Sequence, residues 1–158
     1  MHDPIYNAYW VRPERLMAGS HPAGNNETQT RDNVNLLREA GITFFVDLTE
    51  AGEDISYAPF IGPDAQYRHF PIVDMQTPDA PFMQRILDSI DTAIDAGQTV
   101  YVHCFAGIGR TGTVIGCWLV RHGLAGEAAL DEIERLREGQ IDSPQTNAQR
   151  NMILGWRG

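Results

Sequence analysis

Apolar residues in the stretch APFMQRILDSIDTAIDAG, Ala80 to Gly97, fall three to four apart at Phe82, Ile86, Leu87, Ile90 and Ile94, which predicts a helix with one buried stripe. A second stripe, Leu130, Ile133 and Leu136, runs through AGEAALDEIERLREG from Ala125 to Gly139 and predicts another. Val34, Leu36 and Leu37 suit a helix between Asn33 and Gly41, where the glycine stops it. The pattern changes in ITFFVDLT, Ile42 to Thr49, which is β-branched and aromatic with few charges, as a strand covered on both faces should be. AQYRHFPIVD, Ala65 to Asp74, predicts a shorter strand closed by proline and acid. QTVYVHC predicts a strand ending at Cys104, TGTVIGCWLVRHG a helix stopping near Gly123, and Thr146 to Trp156 a last helix. Two short apolar pieces between Tyr9 and Gly24 predict a strand pair at a sheet edge.

Strands alternating with helices predict an α/β fold, a mainly parallel central sheet flanked by helices. In such sheets ligands sit beyond the carboxyl ends of the strands, where the loop after Cys104 falls. No repeat, low-complexity tract or linker interrupts the pattern, so one domain over residues 1–158 is expected.

Composition narrows the class. With 42% hydrophobic and 21% charged residues the chain is neither disordered nor membrane-embedded. The net charge of −9 argues against general binding to nucleic acid or to anionic membranes. No signal-like start and no long apolar run are present, and the two cysteines, Cys104 and Cys117, suit a reducing compartment, so the cytoplasm is the expected location. Two cysteines are too few for a cysteine-rich zinc site, and neither a metal nor any other cofactor is expected. All twelve basic residues are arginine, so phosphate here can be met only by arginine, histidine or backbone N–H groups.

The chemistry gathers in VYVHCFAGIGRTGT, Val100 to Thr113. Phe105, Ala106, Gly107, Ile108 and Gly109 separate Cys104 from Arg110, in a loop entered from a strand and left into a helix. Such a loop can turn its amides inward as an anion-binding nest, with the glycines supplying backbone freedom and the helix its positive end. Arg110 brings a planar fork that matches two phosphoryl oxygens. Cys104 lies where these donors converge, so its thiolate is favoured and its pKa should fall below the roughly 8.5 of a free thiol. Thr111 is placed to donate its hydroxyl to the sulfur. His103 is expected to order the loop by hydrogen bonds rather than act as a base, since an ionised thiolate needs none. Gly107, Gly109 and Gly112 also satisfy dinucleotide-binding spacing, but no acidic strand end follows about 20 residues on, and that reading leaves the cysteine and arginine unexplained.

HCFAGIGRTG, His103 to Gly112, matches the HCxxGxxR[ST]G signature, and the chain resembles the cysteine-dependent protein tyrosine and dual-specificity phosphatases. YRHFPIVDMQTPD and SPQTNAQR resemble that superfamily's general-acid and QTxxQ segments, so the similarity runs from about Tyr67 to Arg150 and is weaker before it. Within the superfamily, the kinase-associated group of small dual-specificity enzymes is the nearest in appearance. The resemblance implies a phosphorylated protein or peptide as substrate and a covalent cysteinyl-phosphate. It implies Asp74, 30 residues before Cys104, as the acid that protonates the leaving oxygen, with Asp79, 25 before, as competitor. Either aspartate can instead be a turn residue beside Pro71 or Pro78. Gln145 is implied as holder of the hydrolytic water, with Gln149 four residues on; the alternative is a pair of solvated helix amides. Cys117, thirteen residues beyond Cys104, is expected to pack in the core rather than to form a redox pair.

Three other functions share parts of this pattern. A phosphate-recognition module without turnover would usually lack the cysteine, the arginine or the acid. Enzymes acting on polyphosphorylated inositols carry loop lysines where this chain has Phe105 and Ile108, and the acidic TEAGED, Thr49 to Asp54, would repel polyanions at the rim, although another non-protein phosphomonoester stays open. A sulfur-transfer enzyme does not resemble the combined signature.

Overall fold

The computed structural model describes residues 5–139 and 142–158. Segments Phe44–Asp47 (β3) and Val100–His103 (β5) are buried at every position. They sit side by side and parallel, with Leu16–Gly19 (β2) parallel on the far side of β5 and Gln66–His69 (β4) parallel on the far side of β3. Tyr9–Arg12 (β1) joins β2 antiparallel, giving the order β1-β2-β5-β3-β4 and the expected mainly parallel α/β sheet. Of the predicted edge pair, only β1 is an edge; β2 lies inside the sheet. Strand β4, the other edge, is largely exposed, and the chain beyond it carries Asp74.

Side-chain alternation sorts the core onto the two faces. Met17, Phe45 and Tyr101 face Val34 and Leu37 of helix α1 (Glu27–Glu39), together with Tyr57. Leu16, Ala18, Val46, Val100 and Val102 face the opposite layer: α2 (Ala80–Asp95), α3 (Gly109–Arg121), α4 (Gly126–Leu136) and α5 (Asn147–Gly155). Helix α1 starts six residues before the apolar pattern did, because Asn26 caps it by accepting from the Gln29 amide and the added turns are largely exposed. Leu36 is accordingly exposed, and the buried stripe is Thr30, Val34 and Leu37.

Two features place the functional loop. In register, Gly19 and Asp47 both lie level with His103, so three parallel strands end together just where the loop begins. Helix α5 then packs onto α3 at Gly116, where a Cβ would overlap the Ile153 side chain. That contact brings the turn before α5, with Gln145 and Gln149, against the start of α3.

Candidate active site

The loop from Cys104 to Arg110 sends its carbonyls outward. Cys104 O accepts from His103 Nδ1, Phe105 O from the His21 amide, Ala106 O from Asn7 Nδ2 and Gly107 O from Arg137 Nη1. Ile108 O accepts from Ser143 Oγ at 2.7 Å and Gly109 O from Thr113 Oγ1 at 2.8 Å. In a trans peptide the next N–H points opposite to its carbonyl. The amides of residues 105–110 therefore face the ring's interior, and among the described residues none of them has a hydrogen-bond acceptor. The expected nest is present as backbone geometry.

Gly107 makes the turn possible. Its φ of +78° is in the left-handed region, and a Cβ there would lie 2.5 Å from the Gly19 carbonyl carbon at the end of β2. Helix α3 opens at Gly109 with no side-chain cap, leaving its positive end to the same interior. Cys104, 3% exposed, stands at the base of the ring.

Arg110 is buried, and its donors divide into two sets. Nη1 donates to Glu53 Oε2 at 2.7 Å and to the Ile72 carbonyl at 3.0 Å, and Nη2 to Glu53 Oε1 at 2.9 Å, a bidentate clamp. Nε is buried with no partner. Beside it, the inner hydrogen of Nη2 completes a second, side-on fork, and the Asp74 carboxylate is 3.4 Å from that nitrogen. Hydrogen bonding to Arg110 holds the Glu53 carboxyl below its ordinary range. Burial works most strongly against the charge on Arg110, but the Glu53 bond together with the neighbouring Cys104, Glu53 and Asp74 charges outweighs it and the guanidinium stays ionised.

Asp74 is exposed and reaches the guanidinium, whereas Asp79 is the N-cap of α2, its carboxylate accepting from the Phe82 amide. Both aspartates accept from a local amide, Asp74 from Met75 at 2.9 Å and Asp79 from Phe82 at 2.9 Å, but of the two only Asp74 also reaches Arg110. Gln145 and Gln149 both crowd Gly109, where a Cβ would collide with the Gln145 amide oxygen and meet Gln149 Nε2 at 3.1 Å. Gln149 is fully buried: its Oε1 accepts from the Gln145 and Thr146 amides and its Nε2 donates to the Gln76 carbonyl. It ties α5 to the Asp74 segment, while the exposed Gln145 is the one facing open solvent beside the loop. The Thr111 hydroxyl is buried without any hydrogen-bond partner, so the expected bond to the Cys104 sulfur is not made in this structure. Together with Arg110 Nε it is an unmatched buried donor at the end of the loop.

Beneath the ring, Asp47, Tyr57, Tyr67, His21 and His103 form a buried network at the strand ends. A carbonyl can only accept, so His103 Nδ1 carries the proton toward Cys104 O, and Tyr57 must donate to Nε2 at 2.6 Å. Burial raises the Tyr57 phenol well above its usual range, which keeps that proton in place, and lowers His103 to about 4, so the ring is neutral. Burial alone would raise the Asp47 carboxyl. The His103 charge when present and bonds from Thr49 and Tyr67 bring it below its ordinary value. Ligand atoms of His21, Asp47 and His103 lie within 4.8 Å of one another, close enough for a metal. Both His103 nitrogens and His21 Nδ1 are already engaged, the latter by the Ala23 amide, so the cluster's donors serve the loop.

Glu53, Asp47, Tyr57, Asn7, Arg137 and Ser143 were not singled out from sequence. Glu53 carries a signal in the sequence, since a buried arginine needs a carboxylate and TEAGED offers one. Cys117 packs in the core with its thiol pushed up to about 12 by burial, and both cysteines are free.

Comparison with known proteins agrees with this geometry. A family model described as the Swiss Army Knife protein DSP-PTPase phosphatase domain matches residues 6–153, which extends the likeness over the N-terminal part that the motifs left out. The dual specificity protein phosphatase CDC14B of Mus musculus is 28% identical over 144 residues, covering 86% of this chain and 29% of its own length. The chain thus spans less than a third of that relative. Among solved structures, Tk-PTP in its active form aligns with a TM-score of 0.80 and 25% identity over 93% of both chains. Kinase-associated phosphatase aligns at 0.81 with 21% identity over 94% of this chain and 92% of its own, a likeness of fold. With its amide ring, its cysteine and arginine at the ring's two ends, and a family match over nearly all its length, the chain belongs to the DSP-PTPase phosphatase family.

Proposed function

We propose that the protein hydrolyses phosphomonoesters on protein, phosphotyrosine first and phosphoserine or phosphothreonine as further substrates, through a cysteinyl-phosphate at Cys104. The observation that carries this reading is the ring of inward amides at residues 105–110 together with the unpartnered Nε of Arg110. Six N–H groups and a side-on guanidinium fork suit the three non-bridging oxygens of a phosphoryl group, and they meet above a single nucleophile.

Asp74 is the proton donor. The Cys104 thiolate attacks phosphorus, the P–O ester bond breaks, and the Asp74 carboxyl gives its proton to the departing oxygen. Asp74, now a carboxylate, takes a proton from water held by Gln145. The resulting hydroxide attacks phosphorus, the P–S bond breaks, and inorganic phosphate leaves with Cys104 again a thiolate. Amides and Arg110 stabilise charge in both steps, and Thr111 donates to the sulfur as it departs. His103, Tyr57 and Gln149 hold the loop in place. A nucleophilic thiolate must stay reduced, which suits the expected cytoplasmic location; among the described residues no helix is long and apolar enough to cross a membrane.

Two leaving groups test this. The protein should release p-nitrophenol from its phosphate ester and phenol from phenyl phosphate, and Cys104→Ser should release neither. Asp74→Asn should lose on the order of 10²-fold or more on phenyl phosphate. It should lose far less on the nitrophenyl ester, whose leaving group scarcely needs a proton. Equal losses on both esters would remove Asp74 as the acid. Phosphopeptide binding with no release by the unmodified protein would instead make it a recognition module.

A further inference from the structure

Seven large hydrophobic side chains are exposed among the described residues, and five of them, Tyr6, Ile55, Val73, Met75 and Phe105, all between 47% and 77% exposed, lie on segments that form the amide ring or bond it or its arginine. They come from four separate segments. Phe105 follows Cys104, and Val73 and Met75 flank Asp74, which reaches Arg110. Ile55 is two residues beyond Glu53, which clamps Arg110, and Tyr6 precedes Asn7, which bonds the Ala106 carbonyl. A soluble domain scatters single apolar residues over its surface, but a cluster bordering one opening marks contact with a partner. The exposed charges on these segments have one sign. Glu50, Asp54 and Asp74 lie on the same segments, and these segments carry no basic residue apart from the buried Arg110.

We propose that these five side chains form a collar that binds apolar residues flanking the phosphorylated residue of a peptide substrate, and that its acidic setting excludes peptides with acidic neighbours. This deepens the phosphatase reading and rests on it for the position of the phosphate. Continuity with the ring points to a substrate's own chain as the occupant, because a residue held at Cys104 must carry its neighbours across the collar. A bilayer is disfavoured by the acidic setting and by the net charge of −9. Phosphate-rich small molecules gain nothing from apolar walls. The collar adds to the acidic rim a positive basis for selection, namely apolar surface buried by the correct peptide.

Binding to the Cys104→Ser protein reads the collar without turnover. Three phosphotyrosine peptides would differ only at the flanking residues, which are leucine and phenylalanine, serine and glycine, or aspartate and glutamate. The apolar peptide should bind about tenfold tighter than the serine–glycine one, the gain expected from burying roughly 55 Å² of apolar surface, and the acidic peptide more weakly than either. Adding Tyr6→Ser and Ile55→Ser should erase the apolar advantage, while the same two changes in the Cys104 protein leave p-nitrophenyl phosphate hydrolysis unchanged. Equal affinities for the three peptides, no binding of any, or an advantage that survives the two substitutions would overturn the proposal. So would sedimentation with phosphatidylcholine vesicles, with or without phosphatidylglycerol, that the two substitutions abolish, since that would give the collar to a membrane. Failure to hydrolyse the nitrophenyl ester would strike the phosphatase reading alone, because the affinity ratios are measured without catalysis.

Discussion

Arg110 shows how one side chain can serve two tasks without moving. Its outer edge is spent on Glu53 and the Ile72 carbonyl, which fixes the plane of the guanidinium, and on its side edge Nε is left without a partner, with Asp74 3.4 Å from Nη2. Glu53 is a positioning residue, not a catalytic one. Glu53→Gln keeps the shape but turns one acceptor into a donor facing Nη1 or Nη2, so one bond of the clamp becomes a repulsion. We expect kcat/KM for p-nitrophenyl phosphate to fall about 10- to 100-fold, with both kcat and KM affected because Arg110 meets phosphate throughout the proposed reaction. Wild-type kinetics in that variant would show that the clamp is dispensable. Cys104, Arg110 and His103 were legible because their spacing is itself the signature. Glu53 was not, because it lies 57 residues from its partner in sequence and only the folded chain decides whether an acid at the rim turns inward.

At the scale of elements, three level strand ends and the packing of α5 on α3 place the loop. Gly116 lets α5 approach α3, and that approach carries Gln145 and Gln149 to Gly109. Gly116→Ala should cost about 1–3 kcal/mol by overpacking against Ile153, measured as a shift in the urea midpoint. A second change, Ile153→Ala, should then cost less in that background than alone, since the two side chains compete for one space. Strict additivity would place the strain elsewhere. Apolar periodicity revealed α2 and α4 closely, because each buries one continuous stripe. It missed the first turns of α1, which a cap and polar residues build, and it placed β2 at an edge because a four-residue strand gives no sign of how many neighbours it has. The outward turn of the loop carbonyls was inferable only as a possibility of glycine-rich chain; their partners come from the N-terminal segment, α4's end and Ser143.

For the molecule as a whole, the buried network beneath the ring couples the site to stability. His103 titrates near 4 when folded and near 6.5 in an unfolded chain, so between those values the unfolded state takes up a proton that the native state refuses. Its contribution is therefore fully present above about pH 6.5 and is lost as pH falls toward 4; His21, also lowered by burial, acts in the same direction. Unfolding in urea should show about 2 kcal/mol less stability at pH 5 than at pH 7 from His103 alone. The His103 ring signals in NMR should stay those of a neutral imidazole at pH 5. A flat stability profile, or a ring that titrates near 6.5, would contradict the network as described.

The chain's α/β class followed from its alternating pattern, and its chemistry from one loop. The most direct test of that chemistry is to quench the protein with acid during turnover of p-nitrophenyl phosphate and to map the phosphorylated side chain by mass spectrometry. Phosphate on Cys104, and its disappearance in Cys104→Ser, is the predicted result. Phosphate on another side chain, or none on the protein while p-nitrophenol is still released, would contradict the account.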